Sequence, residues 1–171
     1  QSDAKDAERR IEYLSSFAPS RTLDEELTQL VGSLSTTPAA KLRIGRMLHN
    51  KRHFDQAIPY LEAAAADTSS EDAHEAIYYL AETLLAIDRR ESIANDGKPA
   101  FTDRAKGLYR QLTAEDTKGP YSDDAELRSI ELEADRGDAT AQESAIAGYE
   151  QFAKKYPSSD RLLHAKLNTA D

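Results

Sequence analysis

Apolar residues recur along most of this chain at the three- and four-residue spacing of an α-helix face. The pattern is clearest in two neighbouring segments. AAKLRIGRMLHN places Leu42 and Leu48 in one helix, and FDQAIPYLEAAAAD places Leu61 and Ala64 in the next. The polar residues KRH at 51–53 lie between them and predict a tight turn. These two segments therefore predict a hairpin of two helices.

The same periodicity predicts further helices on both sides of this hairpin. Asn95, Asp96 and Gly97 form a turn signal, so residues 88–102 are expected to be a long loop between two of these helices. Pro157 is expected to mark the end of a later helix. The predicted helical segments are DAERRIEYLSSF and LDEELTQLVGSL upstream and, downstream, SSEDAHEAIYYLAETLLAI, DRAKGLYRQLTAED, DDAELRSIELEAD, SAIAGYEQFAKK and the half-pattern SDRLLHAKLNTAD.

The composition favours helix over strand. Ala, Leu, Glu, Asp and Arg are plentiful, runs of Val, Ile and Thr are missing, and there are seven Gly and six Pro. Hydrophobic residues make up 39% and charged residues 31% of the sequence, as in a folded rather than a disordered protein. A length of 171 residues suits one domain or a short solenoid. We therefore expect an all-α fold.

The charge and the missing cysteines exclude several classes of function. The formal net charge is −9 and no basic cluster recurs on one face, so we expect no nucleic-acid partner. No apolar run approaches the roughly 20 residues of a membrane span. Cysteine is absent, which excludes disulfides and thiolate sites. The chain starts at Gln1 rather than Met, so we expect that upstream residues were removed, and a signal peptide or lipid anchor could have stood there.

The helix pattern repeats along the chain. At an offset of 34 residues, Leu14 aligns with Leu48 and Leu27 with Leu61. Later segments keep the same order of small and large residues but lie further apart, because loops are inserted. The recurring triplets are Ala57, Leu61 and Ala64, then Ala105, Tyr109 and Leu112, then Ala145, Tyr149 and Phe152.

In these positions the chain resembles the tetratricopeptide repeat family. The matching residues are Ile44, Gly45, Leu48, Ala57, Leu61 and Ala64 in one unit, Leu80, Ala81, Leu84, Ala105, Tyr109 and Leu112 in the next, and Ala145, Tyr149, Phe152 and Pro157 in a third. Lys41 departs from the pattern, since the family often has Trp there. The resemblance implies an all-α, right-handed solenoid of antiparallel helix hairpins. Its single domain would comprise units at 4–37 (degenerate), 38–71, 72–118 with the loop 88–102, and 121–157, then a final or capping helix at 158–171.

One stretch is similar to a narrower group within the family. AGYEQFAKKYPSSDRLLHAKL resembles the units of bacterial envelope members of the barrel-assembly lipoprotein and Tol–Pal coordinator type, in which a Tyr/Phe helix ends at Tyr-Pro. Tyr156-Pro157 would then be the boundary between two units. This resemblance implies a location in the periplasm or at the outer membrane. Cytoplasmic members share similar boundaries, so the cytoplasm is the alternative.

The resemblance also implies which residues would line the concave groove between the first helices of each hairpin. Arg46 and Asn50 could hold backbone or carboxylate groups of a bound peptide or helix, and Tyr78 could supply apolar contact area. The loop 88–102, with Ile93 and Phe101 expected to be exposed, is a second contact candidate. Alternatively, each of these is an ordinary solvated helix residue. The full predicted groove set is Leu42, Arg46, His49, Asn50, Tyr78, Glu82 and Leu85.

No arrangement of residues announces catalysis, a cofactor or a metal. His49 and His53 have metal-ligand spacing, but the turn between them favours solvated histidines. Serines lack a nucleophile turn, and no glycine-rich phosphate loop exists. Arg136-Gly137-Asp138 falls where a helix is expected to end with glycine. We expect a non-catalytic scaffold for protein–protein interaction. The alternatives are a structural subunit that packs through its convex face or ends and, third, a helical enzyme.

Overall fold

The computed structural model describes residues 37–66, 72–95, 100–115 and 119–168, and it leaves out the side chains of residues 92–95. The two helices predicted within residues 1–36 lie outside the described part. All regular secondary structure of the described residues is helical, which confirms the all-α prediction for that part of the chain. Its seven helices are α1 (Pro38–Asn50), α2 (Phe54–Ala65), α3 (Asp72–Asn95), α4 (Thr102–Glu115), α5 (Ser122–Ala134), α6 (Ala139–Lys155) and α7 (Leu162–Leu167).

Local capping chemistry fixes the predicted hairpin of α1 and α2. The Thr37 hydroxyl accepts a hydrogen bond from the backbone N–H of Ala40 at 3.2 Å, and Pro38 follows at the first helical position. At the other end, the backbone N–H of His53 donates to the carbonyl of Leu48 at 2.9 Å. Arg52 adopts a left-handed φ of 64° in this turn. Hence the hairpin is confirmed, with its turn at the predicted position.

A glycine lets the two helices of this hairpin approach closely. A Cβ atom built on Gly45 would lie 2.6 Å from both Cγ and Cδ2 of Leu61, far inside normal contact distance. Both Gly45 and Leu61 are buried. Packing therefore requires glycine at position 45, since the Leu61 side chain of α2 lies against α1 there and leaves no room for a Cβ atom.

Helix α3 is longer than the sequence predicted, and the expected loop 88–102 is wrong. The helix continues to Asn95, and Asp88 is buried within it. The carboxylate of Asp88 accepts hydrogen bonds from the backbone N–H groups of Ala100 and Phe101 at 2.8 and 3.0 Å and from the Thr102 hydroxyl at 2.8 Å. It thereby caps the start of α4 from a neighbouring helix. Asn95, part of the turn signal, marks the end of α3 rather than the middle of a loop.

The boundaries of α6 agree with the sequence prediction. Gly137 has a φ of +72° just after α5, which confirms the glycine stop expected there. Asp138 accepts a hydrogen bond from the backbone N–H of Ala141 at 2.9 Å and so caps the start of α6. The helix ends at Lys155, with Tyr156 as its C-cap. The predicted helix end at Tyr156-Pro157 is therefore confirmed.

Packing divides the chain into two compact units, Gln1–Tyr79 and Leu80–Asp171, and the division falls within α3. In the second unit, α5 packs against α4 and α6, and α6 packs against α7. One buried cluster joins α5, α6 and α7; it consists of Leu127, Ala145, Tyr149, Phe152 and Ala165. Consecutive helices therefore pack together, as hairpins require, whereas a right-handed solenoid stays a prediction.

None of the helices in the described ranges is long and apolar enough to cross a membrane.

The end of α6 makes the second unit sensitive to alkaline pH. Burial raises the pKa of Tyr149 and of Tyr156, and a hydrogen bond to Glu126 raises the pKa of Lys155. The folded chain thus keeps three protons that the unfolded chain releases first. We expect the contribution of these three groups to the free energy of unfolding to be constant below about pH 9.5 and to fall as pH rises beyond about 10.

Urea denaturation at a series of pH values checks this expectation. Tyr149→Phe removes one of the three protons and should make the decline shallower, although it also removes the hydroxyl's own contacts. A wild-type protein that is equally stable at about pH 9 and about pH 11 would contradict the expectation.

Candidate protein-binding surface

The solvent-exposed face of α1 is polar and partly cationic. Arg43, Arg46 and Asn50 are spaced at i, i+3 and i+7 and so lie along one side of the helix. Arg43 and Asn50 are exposed, and Arg46 is half-exposed. Leu42 was predicted to belong to this face, but it is 3% exposed and lies in the core, so that prediction is wrong. Arg43, one residue further, has the exposed position that the sequence reading gave to Leu42.

Arg46 is held in place by two residues of α3. Its Nη1 atom lies 2.5 Å from Oε1 of Glu75, in an ion pair rather than an aligned hydrogen bond. Its guanidinium lies 5.2 Å from the ring centroid of Tyr79, in a cation–π contact. The Arg46 side chain remains 43% exposed. It is therefore positioned in advance and still accessible to a partner.

Aromatic rings surround Tyr79. The rings of His49 and Tyr79 meet edge to face with centroids 5.6 Å apart, and Tyr78 meets Tyr79 at 5.8 Å. His49 also contacts Phe54 at 5.6 Å. His49 thus serves largely to join α1, α2 and α3, although it was predicted to line the groove. Tyr79, the centre of this cluster, was not among the predicted surface residues. Its position four residues after Glu75 places both side chains on one side of α3, which could have indicated a role for Tyr79.

Of the three predicted α3 positions, two are partly accessible and the third is buried. Tyr78 and Glu82, four residues apart, are half-buried and lie on the same side of the helix. Leu85 is only 4% exposed, so its assignment to a binding surface is wrong. Leu85 lies three residues beyond Glu82 and so on the same side of α3, which means that packing by neighbouring helices, and not its position around the helix, buries it. Arg89, seven residues beyond Glu82, is exposed.

Glu82 belongs to a polar network in the second unit. The buried Tyr109 hydroxyl donates to Oε1 of Glu82 at 2.5 Å. Arg128 of α5 donates to both oxygens of Glu82, from Nε at 3.0 Å and from Nη2 at 3.2 Å. Its third nitrogen donates to Glu131 at 2.8 Å. Glu82 therefore ties α3 to α4 and α5, which is a structural role that the sequence did not suggest.

Arg128 remains charged at the centre of this network. Burial acts to lower the pKa of its guanidinium, but the charge of Glu82 and the hydrogen bond and charge of Glu131 outweigh it and raise that pKa above its ordinary value. One guanidinium between two carboxylates leaves an excess negative charge. This network offers a partner few free hydrogen-bonding groups.

Tyr109→Phe tests the network. The substitution removes the hydroxyl that donates to Glu82 and keeps the buried ring, so we expect the free energy of unfolding to fall by about 1–2 kcal/mol. Urea denaturation measures it. Tyr60→Phe on α2, where the side chain is half-buried, is the matched control and should change stability by less than about 0.5 kcal/mol. Equal effects of the two substitutions would contradict the assigned role of Tyr109.

The described residues of the second predicted contact region lie mostly in helices rather than in an exposed loop. Phe101 was expected to be exposed, but it is half-buried and its backbone N–H is bound by Asp88, so that expectation is wrong. The backbone of Ile93 belongs to α3, and its side chain lies outside the described residues. Residues 88–95 therefore belong to α3, and Thr102 begins α4.

The described side chains include no group of three or more histidine, aspartate or glutamate residues that could hold a metal ion. His49, one of the two histidines with metal-ligand spacing, lies in the aromatic cluster described above.

No protein-family model and no curated protein matches this chain. The resemblance to tetratricopeptide repeats therefore rests on the sequence positions quoted above, and it enters below as a proposal. The described residues by themselves define consecutive packed helices with one polar, aromatic surface in the first unit.

Proposed function

We propose that this protein is a non-catalytic scaffold for protein–protein interaction that binds an extended segment or a helix of a partner. The binding site is the exposed side of α1 together with the neighbouring residues of α3. We call it the α1–α3 surface; it consists of Arg43, Arg46, Asn50, Tyr78 and Tyr79. The observation that carries the proposal is the fixed, half-exposed guanidinium of Arg46 above the ring of Tyr79.

The chemistry of the α1–α3 surface suits a protein partner. Arginine and tyrosine are enriched at interface positions that contribute most to affinity. Arg43 and Asn50 carry donors that could bind backbone carbonyls or carboxylates. Because Glu75 already holds Arg46, little side-chain entropy is lost on binding. A surface of this kind suits the binding of a protein partner better than catalysis.

We also propose that the helices are hairpin repeats of the tetratricopeptide kind. The close contact of Gly45 with Leu61 supports this, since both residues lie at the positions that carry the resemblance. The packing of α4 through α7 in chain order supports it as well. The concave groove expected from the resemblance depends on how successive hairpins stack, and the proposal requires only the surface within the first unit.

The test compares affinity capture by the wild type and by a double variant, Arg46→Gln with Tyr78→Ala. Gln is used because an acidic residue at position 46 would repel Glu75. Two lost anchors of about 1 kcal/mol each should weaken capture of the partner roughly 30-fold. The matched control, Gln56→Ala with Tyr60→Ala on α2, should capture like the wild type. Equal capture by all three folded proteins would refute the α1–α3 surface.

A second candidate function is that of a structural subunit in a larger assembly. The observation in its favour is the apolar outer side of α7, where Leu163 is 69% and Leu167 is 61% exposed. Exposed apolar residues can mark contacts with other subunits. If this function is correct, Leu163→Ser with Leu167→Ser should abolish capture of partners, and the Arg46 and Tyr78 variant should not.

A location in the bacterial periplasm or at the outer membrane is part of the proposal. Its support is the likeness of residues 147–167 to envelope repeats. Fractionation of cells that express the full-length protein from its own gene tests it. Recovery in the cytosolic fraction would favour the alternative location.

A further inference from the structure

The last helix of the described chain is attached to α5 through polar groups. Nε of Arg161 donates to Asp124 at 2.7 Å, and the Ser159 hydroxyl donates to Asp123 at 2.6 Å. Both acceptors lie in the first turn of α5. Arg161 precedes α7 directly, and its side chain is 50% exposed. The start of α7 is thus fixed by an ion pair that solvent can reach.

The middle of α7 is attached in the same way. Nε2 of His164 lies 2.8 Å from Oε1 of Glu131, also on α5, and the His164 side chain is 54% exposed. Asn168 contacts His164 at 3.2 Å. Glu131 is at the same time bound by Arg128. Glu131 therefore contacts Arg128 through one oxygen and His164 through the other.

Apolar burial contributes little to the docking of α7. Only Ala165 is fully buried, and Leu162 is half-buried. Leu163 and Leu167 are directed to solvent. A single methyl group supplies a small part of the apolar contact that a longer helix makes. The contrast is α6, which buries Ala141, Ala145, Tyr149 and Phe152.

Burial of Asp124 weakens this attachment further. The pKa of Asp124 is raised, because burial of the carboxyl outweighs the hydrogen bond and the charge of Arg161, and because Asp123 and Asp160 add negative charge nearby. The ionised carboxylate therefore carries a desolvation penalty while α7 is docked, and release of α7 would hydrate it again.

We propose that α7 is a strap that detaches from α5 and α6 when ionic strength rises. It detaches as one piece, and α5 and α6 stay folded. Salt screens solvent-exposed ion pairs and has little effect on apolar packing. The released strap would uncover the cluster around Leu127, Tyr149 and Phe152, which Ala165 covers when α7 is docked. The described protein thus contains an apolar patch whose exposure depends on charge. This proposal does not depend on the function proposed above.

Amide hydrogen exchange of the full chain, followed by mass spectrometry at pH 7 in low and high salt, tests the proposal. An exposed ion pair and its neighbouring charged hydrogen bonds each change an equilibrium by about two- to fivefold. We expect the amides of residues 162–168 to exchange roughly three- to tenfold faster in about 0.5 M NaCl than in about 0.02 M. Those of α6 should change by less than about twofold.

Two variants make the test specific. Arg161→Gln should speed exchange in residues 162–168 at low salt and remove most of the salt response. Lys154→Gln, which removes an exposed lysine of α6, should respond to salt like the wild type. Three results would overturn the proposal: equal exchange at both salt concentrations, equal acceleration of α6 and α7, or a full salt response in Arg161→Gln.

Discussion

Asp88→Ala should lower the free energy of unfolding by about 3 kcal/mol, because it removes a buried carboxylate that caps the start of α4. The carboxylate of Asp88 is buried and accepts hydrogen bonds from the amides of Ala100 and Phe101 and from the hydroxyl of Thr102. Alanine would leave these donors without their acceptor at the start of α4, where no preceding turn can supply one.

Urea denaturation followed by circular dichroism measures the effect. Asp103→Ala is the matched control, since Asp103 is an exposed aspartate in the first turn of the same helix and should contribute only through the helix dipole, by about 0.5 kcal/mol. Asp88→Asn should fall between the two, because an amide keeps one acceptor oxygen. Equal effects of Asp88→Ala and Asp103→Ala would contradict the capping role.

Leu61 and Gly45 should show strong non-additivity. Leu61→Ala leaves a cavity in the α1–α2 hairpin and should cost about 3 kcal/mol. Gly45→Ala in the wild type should cost about 1–2 kcal/mol, since the new methyl group would lie 2.6 Å from Leu61 and the overlap outweighs the better helix propensity of alanine.

Gly45→Ala should change from destabilising to stabilising when it is combined with Leu61→Ala. In the Leu61→Ala background the methyl group of Ala at position 45 enters space that Leu61 no longer fills, so it should stabilise by about 1 kcal/mol. A double-mutant cycle from urea denaturation gives the coupling, expected to be about 2–3 kcal/mol. Additive effects would show that Gly45 is not required by packing. Gly107→Ala on α4, where a Cβ would meet nothing within 4 Å, is a control that should stabilise in both backgrounds.

The fold was predictable where local chemistry decides it. Gly137 follows the end of α5 and Tyr156-Pro157 ends α6; each signal acts within a few residues and appears in the structure as expected. The failure at residues 88–102 has a tertiary cause. The turn signal at Asn95-Asp96-Gly97 predicted a loop from residue 88, but Asp88 is helical, and its buried carboxylate accepts hydrogen bonds from backbone N–H groups twelve and thirteen residues later.

The binding surface was only partly predictable because its exposure depends on which side of each helix the neighbours cover. Arg46 and Asn50 lie on the polar, accessible side of α1, whereas Leu42 and Leu85 are buried. The bond between Arg128 and Glu82 joins residues 46 positions apart, and periodicity along one helix carries no information about such a pair.

Site-specific photocrosslinking tests the central claim most directly. A photoreactive amino acid at Asn50 samples the α1–α3 surface, and the same amino acid at Gln56 samples the exposed side of α2. In cells, the probe at position 50 should form a crosslink to one defined partner protein, and addition of Arg46→Gln should abolish it. A partner crosslinked at position 56 and not at position 50 would contradict the account, and so would a crosslink at position 50 that survives Arg46→Gln together with Tyr78→Ala.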